Sequence, residues 1–446
     1  MDLQHTNRVA FAIAEKHDLE LDDAWDQMRN AVIWLIADES IKTSYSKQLS
    51  YLTTTNIANR VFLGGVKCVL PAETPNLLPI RSDSFNSLIS HYGGLITDKD
   101  YREGDVKVLF GDECFDDNCI EVVGDGWRGG VNFYKQERVS FQESRSLVSL
   151  GPNVAAAIAC YYAFCKTFKI LDNEIELNTG ISLWNLNSGE NWFKRENEGP
   201  HDLNMPRNIW ALGLGHLGQA YLWALGLMPF REPEKCLLLL QDADAIDMEN
   251  IGSQILCFDH YVGKPKTRPC IDFLEGLGFR TQIVEKPFMK GDSIQEWMKS
   301  FPILLNGVDN IKTRKSISSE QLELFIDGAT NGTLALFDSF TMKNIIKSEK
   351  NTNELWPEES IKDEKILHKK LYEKYEKSHK CGQLTNIGIS TPFVGLFGAT
   401  IVLAELFRSL NYGRAYSIVT LQLRDLSNLS AIENGSYGNE LLRFAN

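Results

Sequence analysis

The sequence predicts an α/β protein with a mainly parallel sheet and flanking helices, preceded by a second, degenerate α/β domain. Three observations lead to this prediction. Strand-like and helix-like segments alternate through the second half, a glycine-rich turn follows the first of those strands, and a long apolar helix closes each half. A chain of 446 residues is also too long for one ordinary core. We therefore expect two domains, at residues 1–200 and 201–446.

The alternation in the second half is regular. Each apolar segment of strand length is followed by a segment whose apolar residues recur at helical spacing. Strands that are separated by helices pair in parallel, which gives the mainly parallel sheet. The predicted strands are RNIWALGLG, CLLLLQDAD, TQIVE and ILLNGVD, and the predicted helices run through Leu225 and from Lys266 to Leu277.

The first half contains both kinds of element in a less regular order. Helical spacing predicts a helix over DDAWDQMRNAVIWLIAD, and a strand-like segment, NRVFLGGVKCVLP, follows it. Further strands are predicted at DVKVLFG, CIEVV and GGVNFYK. This half closes on an apolar helix, GPNVAAAIACYYAFCKTFKIL, which we expect Pro152 to open.

That closing helix has a counterpart late in the second half, TPFVGLFGATIVLAELFRSL, opened by Pro392. Each helix ends in Phe and a basic residue, with Leu two positions later. Two buried helices that merely share a composition would explain this likeness, and so would a duplicated domain. Under duplication only the second copy keeps its glycine turn, because the FLGG segment at residues 62–65 stops where a full glycine loop would continue.

The composition is that of a soluble globular protein and argues against several classes of function. A formal net charge of -13 disfavours nucleic-acid binding, which needs concentrated Lys and Arg. The sequence has no basic and apolar leader and no uninterrupted apolar run of membrane-spanning length, so we expect no membrane partner and a cytoplasmic location. The nine cysteines are scattered, and their spacing predicts neither a disulfide framework nor structural zinc.

The glycine-rich turn directly follows the buried strand IWAL and leads into a helix. Gly213, Gly215 and Gly218 allow unusual backbone angles and let a phosphate approach the NH groups at the helix N-terminus. The pattern predicts a Rossmann-like nucleotide site, and by itself it would favour a nicotinamide or flavin dinucleotide. We interpret His216, inside the motif, as a solvated loop residue.

The residues that follow favour ATP over a dinucleotide as the ligand of this site. Asp242 ends the next strand, where an acid meets the ribose hydroxyls of either cofactor. Lys266 and Asp309 come later, and a dehydrogenase has no need of a lysine and a strand-end acid in this arrangement. An ATP-cleaving enzyme uses the lysine to neutralise phosphate charge and the carboxylate to hold the magnesium that accompanies pyrophosphate.

The segments GLGHLG, DADAIDMENIGSQ, GKPK and VDNIKTR occur in this order, and the pattern resembles the adenylating domain of the ubiquitin-activating and ThiF-like family over most of residues 205–425. The resemblance implies ATP and Mg²⁺ as cofactors. It also implies a role for each site residue: Gly213, Gly215 and Gly218 around the nucleotide, Asp242 on the ribose, Asn250 and Lys266 at the phosphates, and Asp309 on magnesium.

One position departs from the family pattern. The family usually has an arginine immediately before the glutamine of this loop, where this chain has Ser253. Serine cannot imitate a bidentate phosphate clamp, so either another cation compensates or the enzyme is slow or inactive. Lys264 and Arg268 are close in sequence, and the family also brings an arginine from a partner domain.

The resemblance implies that residues 1–200 are an inactive adenylation-like domain. It further implies adenylation of the C-terminal glycine of a ubiquitin-like protein, then thioester formation on a cysteine and transfer to a conjugating enzyme. Cys381 in HKCGQLTN is the candidate nucleophile, on a crossing loop around residues 343–390. Cys257 and Cys270 rank below it because their segments look packed. An enzyme that stops at the adenylate is the alternative, and the sequence is compatible with a homodimer or a monomer.

Other functions stay open at this point. They are a sulfur-carrier adenylyltransferase of the thiamine or molybdopterin type, an NAD-dependent oxidoreductase, and an inactive nucleotide-binding scaffold. The missing zinc cysteines and the long first half disfavour the first, and Lys266 and Asp309 disfavour the second. Chains that resemble this layout occur in bacteria beside ubiquitin-like genes in antiviral defence operons, which implies the same context here.

Overall fold

The chain folds into two α/β domains, each built on a mixed, largely parallel sheet flanked by helices. The structure, a computed structural model, describes residues 7–141, 146–172, 177–288, 300–317, 322–346, 388–434 and 440–445. The predicted fold class is therefore confirmed.

The first domain contains a seven-stranded sheet. Its elements in chain order are α1 (Ala10–His17), α2 (Leu21–Asn30), β1 (Val32–Ala37), α3 (Tyr45–Ala58), β2 (Gly65–Val69), α4 (Phe85–His91), β3 (Gly94–Ile96), β4 (Lys107–Phe110), β5 (Cys119–Asp125), β6 (Arg128–Phe133), α5 (Leu150–Thr167) and β7 (Thr179–Ser182).

The second domain contains an eight-stranded sheet. Its elements are β8 (Asn208–Leu212), α6 (His216–Gly226), β9 (Leu237–Gln241), α7 (Met248–Ile251), α8 (Thr267–Gly276), β10 (Arg280–Val284), β11 (Ile303–Asn306), α9 (Ile311–Ser316), β12 (Leu324–Thr330), β13 (Ser339–Ile346), α10 (Pro392–Tyr412), β14 (Ala415–Gln422) and β15 (Asp425–Asn434).

The two sheets have the same topology. The strand orders are β3-β2-β1-β4-β5-β6-β7 and β10-β9-β8-β11-β12-β13-β14, and β15 adds an edge strand to the second. In both sheets the first five strands are parallel and the next two pairs are antiparallel. A long apolar helix lies between the sixth and seventh strands of each domain. This shared order is what a duplicated domain predicts.

Two predictions for the first half are wrong. The helix predicted over DDAWDQMRNAVIWLIAD ends at Asn30, and Val32–Ala37 is the strand β1, paired on both sides with β2 and β4. Burial between two neighbouring strands outweighs the helical spacing of these apolar residues. The FLGG segment is not a remnant glycine turn, because it lies between α3 and β2 and does not follow β1.

The helices α5 and α10 form the centre of a core that both domains share. They pack against each other, and α10 also packs against α6. Residues 150–165 of α5 and residues 392–411 of α10 are all buried. Pro392 begins α10 as predicted, whereas α5 begins at Leu150, two residues before Pro152. By length and composition α10 could cross a membrane, but here it is wholly buried within the protein.

His216 joins the start of α6 to the start of α10. Its Nε2–H donates a hydrogen bond to the carbonyl oxygen of Thr391 at 2.7 Å, and a Cβ on Gly395 would lie 2.2 Å from that nitrogen. The imidazole is therefore a packed side chain, and the prediction of a solvated loop residue is wrong. Burial lowers the pKa of His216 from 6.5 to about 4, although the carbonyl partner opposes the shift.

The lowered pKa of His216 predicts a pH-dependent contribution to stability. The unfolded chain takes up a proton near pH 6.5 and the folded chain only near pH 4, so the stabilisation is complete above pH 6.5 and is lost as the pH falls towards 4. We expect the difference in urea midpoint between wild type and His216→Gln to shrink between pH 7 and pH 5. His260→Gln controls for the loss of an imidazole, and a pH-independent difference would contradict the account.

Candidate active site

A cavity of about 1000 Å³ lies at the carboxyl ends of the central strands of the second sheet. Ligands in α/β proteins bind at this end of the sheet. Six of the predicted site residues line it: Gly213, Gly215, Asp242, Asn250, Lys266 and Asp309. Gly218 lies behind the turn in the first part of α6, and Cys381 lies outside the described residues.

The three glycines of the turn have different roles. Gly213 has a φ of +81°, and a Cβ there would lie 2.8 Å from the backbone nitrogen of Val308. A Cβ on Gly218 would lie 1.9 Å from the carbonyl oxygen of Gly213, so Gly218 lets α6 pack against the turn. A Cβ on Gly215 would meet no described protein atom within 4 Å, so Gly215 leaves space open at the cavity. Gly213 and Gly218 thus allow close backbone packing, and Gly215 keeps the cavity open.

Asp242 fixes the turn to the end of β9. One carboxylate oxygen accepts a hydrogen bond from the backbone NH of Leu214 at 2.6 Å, and the other accepts from the NH of Asp244 at 2.8 Å. The NH of Gly213 donates to the carbonyl oxygen of Gln241 at 2.9 Å. The predicted ribose acid therefore also organises the glycine turn.

Lys266 lies at the start of α8 and faces Asp244 across the cavity edge. Its Nζ is 2.8 Å from a carboxylate oxygen of Asp244. The lysine side chain is 12% exposed and the aspartate side chain 69% exposed, so the cation is mostly covered while its partner is in solvent. An exposed acid is a weak partner for a lysine, and a phosphate group could replace it.

The loop that carries Asn250 begins with a capped turn. Asp247 caps α7, and its backbone NH donates to the side-chain oxygen of Asn250 at 2.9 Å. The loop continues through Ser253 and Gln254, which are both buried and both line the cavity. Nε2 of Gln219 donates to Oε1 of Gln254 at 2.9 Å. This bond ties the loop to helix α6.

Asp309 is exposed and follows β11 on a short loop that Arg314 holds. Nη2 of Arg314 donates to the carbonyl oxygens of Val308 at 2.7 Å and of Gly328 at 3.1 Å. The Nε atom of Arg314 is 3.2 Å from the buried carboxylate of Asp327. Burial raises the pKa of Asp327, and the nearby guanidinium opposes that shift. The buried network thus keeps Asp309 at the cavity.

The first domain contributes Arg8 to the lining of the cavity. Its Nη2 is 2.8 Å from a carboxylate oxygen of Glu249, which is 241 positions away in sequence. Sequence reasoning missed Arg8 because no local motif marks it, and only the contact between domains brings it to the site. The cavity therefore contains cations from both domains, Arg8 and Lys266.

Cys257 and Cys270 are both buried, which confirms that their segments are packed. Burial raises the pKa of both thiols, so neither is a ready nucleophile at neutral pH. Cys381 and nearly all of the predicted crossing loop lie outside the described residues. The strand β13 continues to Ile346, within the first residues of the range predicted for that loop.

Family models match both halves of the chain. Residues 33–183 match the family described as the BilD N-terminal domain, and residues 205–413 match the BilD C-terminal domain. The second match includes every predicted site residue.

Three known proteins are similar to the chain. The bacterial E1-like protein BilD of Collimonas sp. (strain OK412) is 28% identical over 400 residues, which cover 87% of this chain and 85% of that protein. The NEDD8-activating enzyme E1 catalytic subunit of Caenorhabditis elegans is 29% identical over 140 residues, 31% of each chain. Its Saccharomyces cerevisiae (strain ATCC 204508 / S288c) counterpart is 26% identical over 139 residues, 29% of this chain and 45% of that protein. The matches therefore support a ubiquitin-activating-like family for this chain.

Proposed function

We propose that this chain uses ATP to adenylate the C-terminal glycine of a ubiquitin-like protein in the cavity of the second domain. The observation that carries the proposal is the convergence of a glycine turn, cations from both domains and the exposed carboxylate of Asp309 on one cavity. ATP–pyrophosphate exchange that depends on the ubiquitin-like protein tests it. The names of the relatives support activation of such a protein in general.

We infer one orientation for ATP from the residues that line the cavity. Asp242 at the end of β9 would accept the ribose hydroxyls, which places the phosphates along the glycine turn and the N-terminus of α6. Asn250 and Lys266 would then contact the phosphates. Lys266 would exchange its solvent-exposed partner Asp244 for a phosphate oxygen, and water would solvate the released Asp244 carboxylate.

The residues at the cavity also fit a magnesium ion. Mg²⁺ is usually held by one or two carboxylates together with substrate phosphates and water. Asp309 offers an exposed carboxylate on a loop that Arg314 fixes, and no cluster of three acidic, His or Cys ligands occurs among the described residues. When bound at Asp309, the ion would neutralise charge on the pyrophosphate.

In the proposed reaction a carboxylate oxygen of the terminal glycine attacks the α-phosphorus of ATP. A new P–O bond forms, and the bond from the α-phosphorus to the bridging oxygen breaks. Pyrophosphate leaves with the electron pair, and the product is an acyl-adenylate. Lys266 and Arg8 lie where they can stabilise the negative charge that develops on the phosphates.

Arg8 would supply the positive charge that Ser253 lacks at the position where the family usually has an arginine. Ser253 is buried at the cavity and carries no charge, whereas Arg8 reaches the same cavity from the first domain. In the ligand-free structure Arg8 pairs with Glu249, and ATP would compete for that guanidinium. This contribution from the first domain disfavours the inactive-scaffold alternative, whose support is Ser253.

We also propose that residues 1–200 form an inactive partner domain and residues 201–446 the active one. After β1, the position of the glycine turn is taken by Asp38, whose carboxylate accepts from the NH of Ser40 at 3.0 Å. The corresponding cavity measures about 300 Å³. Nε of Arg138 in its lining donates a hydrogen bond to a carboxylate oxygen of Glu121 at 2.9 Å. These features leave little room for a nucleotide.

The second step of the proposal transfers the acyl group to a thiol. The thiolate of Cys381 would attack the acyl carbon of the adenylate, so that a C–S bond forms, the C–O bond to the phosphate breaks and AMP leaves. A conjugating enzyme would then accept the modifier. We place this activity in the bacterial cytoplasm and in antiviral defence, on the family resemblance alone.

Two alternatives differ from this proposal in ways that can be measured. An NAD-dependent oxidoreductase would be protected by NAD in thermal unfolding, whereas we expect protection by ATP with magnesium. A sulfur-carrier adenylyltransferase would share the first step but would pass its product to a sulfur donor, without a conjugating enzyme.

We expect Asp309→Ala to abolish ATP–pyrophosphate exchange driven by the ubiquitin-like protein, because pyrophosphate loses its metal ligand. Lys266→Ala should slow exchange by about 10- to 1000-fold, the range for loss of one positioned charge. Asp26→Ala, which removes an exposed carboxylate on α2, is the matched control. Near-normal exchange in Asp309→Ala would remove this residue from the site.

Arg8→Ala should slow exchange by about 10- to 1000-fold, the range for loss of one positioned charge at the phosphates. Lys16→Ala is the control, because Lys16 also lies near the N-terminus but pairs with Asp172 outside the cavity. Equal exchange in the two variants would show that Arg8 has no part in the reaction.

Cys381→Ala should keep pyrophosphate exchange and lose the thiol-sensitive adduct with the ubiquitin-like protein on a non-reducing gel. Adenylation does not use the thiol, whereas thioester formation requires it. An adduct that persists in this variant would place the nucleophile at another cysteine. No adduct in wild type would favour direct transfer from the adenylate.

A further inference from the structure

We propose that Arg60 of the first domain is a positioning residue for ATP binding, because it holds the loop at residues 251–257 from behind. The inference rests on the proposed function, since that loop carries the cavity residues Ser253 and Gln254 and directly follows Asn250. Arg60 does not line the cavity and has no part in the motif of the second domain.

The contacts of Arg60 converge on one loop. Nη1 donates to the carbonyl oxygens of Ile251 at 2.5 Å and Cys257 at 2.9 Å. Nη2 donates to the carbonyl oxygen of Ile255 at 2.7 Å. One guanidinium from the first domain thus binds three backbone carbonyls at both ends and near the middle of the loop. This planar fork of donors is particular to arginine.

Neighbouring polar residues strengthen the clamp. Asn56, one turn earlier, accepts from Nη2 of Arg60 at 3.1 Å and donates to the carbonyl oxygen of Ile255 at 3.1 Å. Asn7 donates to the carbonyl oxygen of Arg60 at 2.8 Å, and the next residue is Arg8. The Arg60 side chain therefore supports the loop at residues 251–257, and its backbone carbonyl holds the segment that carries Arg8 to the cavity.

The opposite side of the loop is held by the second domain. Nε2 of Gln219 in α6 donates to Gln254, and Oε1 of Gln219 accepts from the NH of Leu256 at 3.0 Å. The loop is thus fixed between Gln219 and Arg60. A loop held on one side only would keep its fold but would present its phosphate-facing residues less accurately.

Burial of this guanidinium has an electrostatic cost, which the carbonyls offset. Arg60 is 5% exposed, and burial lowers its pKa to about 10, so the side chain keeps its charge at neutral pH. The charge-assisted bonds to carbonyl oxygens compensate for lost water. A lysine would retain the charge, but its single ammonium cannot span three carbonyls.

The test compares full-length wild type with Arg60→Lys and Asn56→Ala. We expect Arg60→Lys to raise the KM for ATP in pyrophosphate exchange by about 10-fold or more, because a misplaced loop weakens phosphate contacts. Asn56→Ala, which removes one loop contact, should raise it by less. All assays are run well below the unfolding temperature of each variant, so that the folded fraction is equal.

Tyr45→Phe is the matched control. It removes a different bond between the domains, from the Tyr45 hydroxyl to the carbonyl oxygen of Leu227 at 2.8 Å, and leaves the loop untouched. A merely structural role for Arg60 predicts that both variants lower the unfolding temperature and leave the KM for ATP unchanged. Wild-type KM in Arg60→Lys would overturn the inference.

A direct binding measurement separates this inference from the proposed function. If wild type shows no exchange with any ubiquitin-like protein, the proposed function fails, and calorimetric titration with ATP and magnesium still tests Arg60. A Kd weakened about 10-fold in Arg60→Lys and unchanged in Tyr45→Phe would support the clamp. An equal Kd in wild type and Arg60→Lys would refute it.

Discussion

The structure depends on two long helices, α5 and α10, that are buried on every side. Such helices are stable only when every face is covered, and here each covers the other while the two sheets and the helices α3 and α6 cover the rest. Separate domains would expose one of these faces to water. The buried Glu405 and Arg408 of α10 pair with each other, and Arg408 also donates to the carbonyl oxygen of Leu183 in the first domain. The shared core therefore fixes how the domains meet.

This fixed arrangement gives the two domains different roles in one site. The second domain supplies the glycine turn, Asp242 and Asp309 beyond strand ends, and Lys266 at the start of α8. The first domain supplies Arg8 at the cavity and Arg60 behind it. The same strand order in both sheets supports duplication followed by specialisation, in which one copy has the glycine turn and the other supports it. A rigid interface suits the proposed nucleotide site, because phosphate contacts would require accurate placement.

The parts predictable from sequence were those with local patterns. The glycine turn, Asp242 and Asp309 each follow an apolar strand, and parallel strands place such ends at one edge of the sheet. The helix prediction for residues 32–37 was wrong because a buried central strand has no apolar–polar alternation that would distinguish it from a helix. Arg8 and Arg60 carry no local signal, since their partners lie about 190 to 240 positions away. Only the packing of the two domains against each other brings them to the site.

The central claim is that one nucleotide site forms in the second domain and is completed by the first. A structure determined with magnesium and α,β-methylene ATP tests this most directly. We predict the triphosphate along the glycine turn, with Lys266 and Arg8 released from their carboxylate partners onto phosphate oxygens and Asp309 beside the metal. A nucleotide in the cavity of the first domain, or Arg8 still paired with Glu249 and away from the phosphates, would contradict the account.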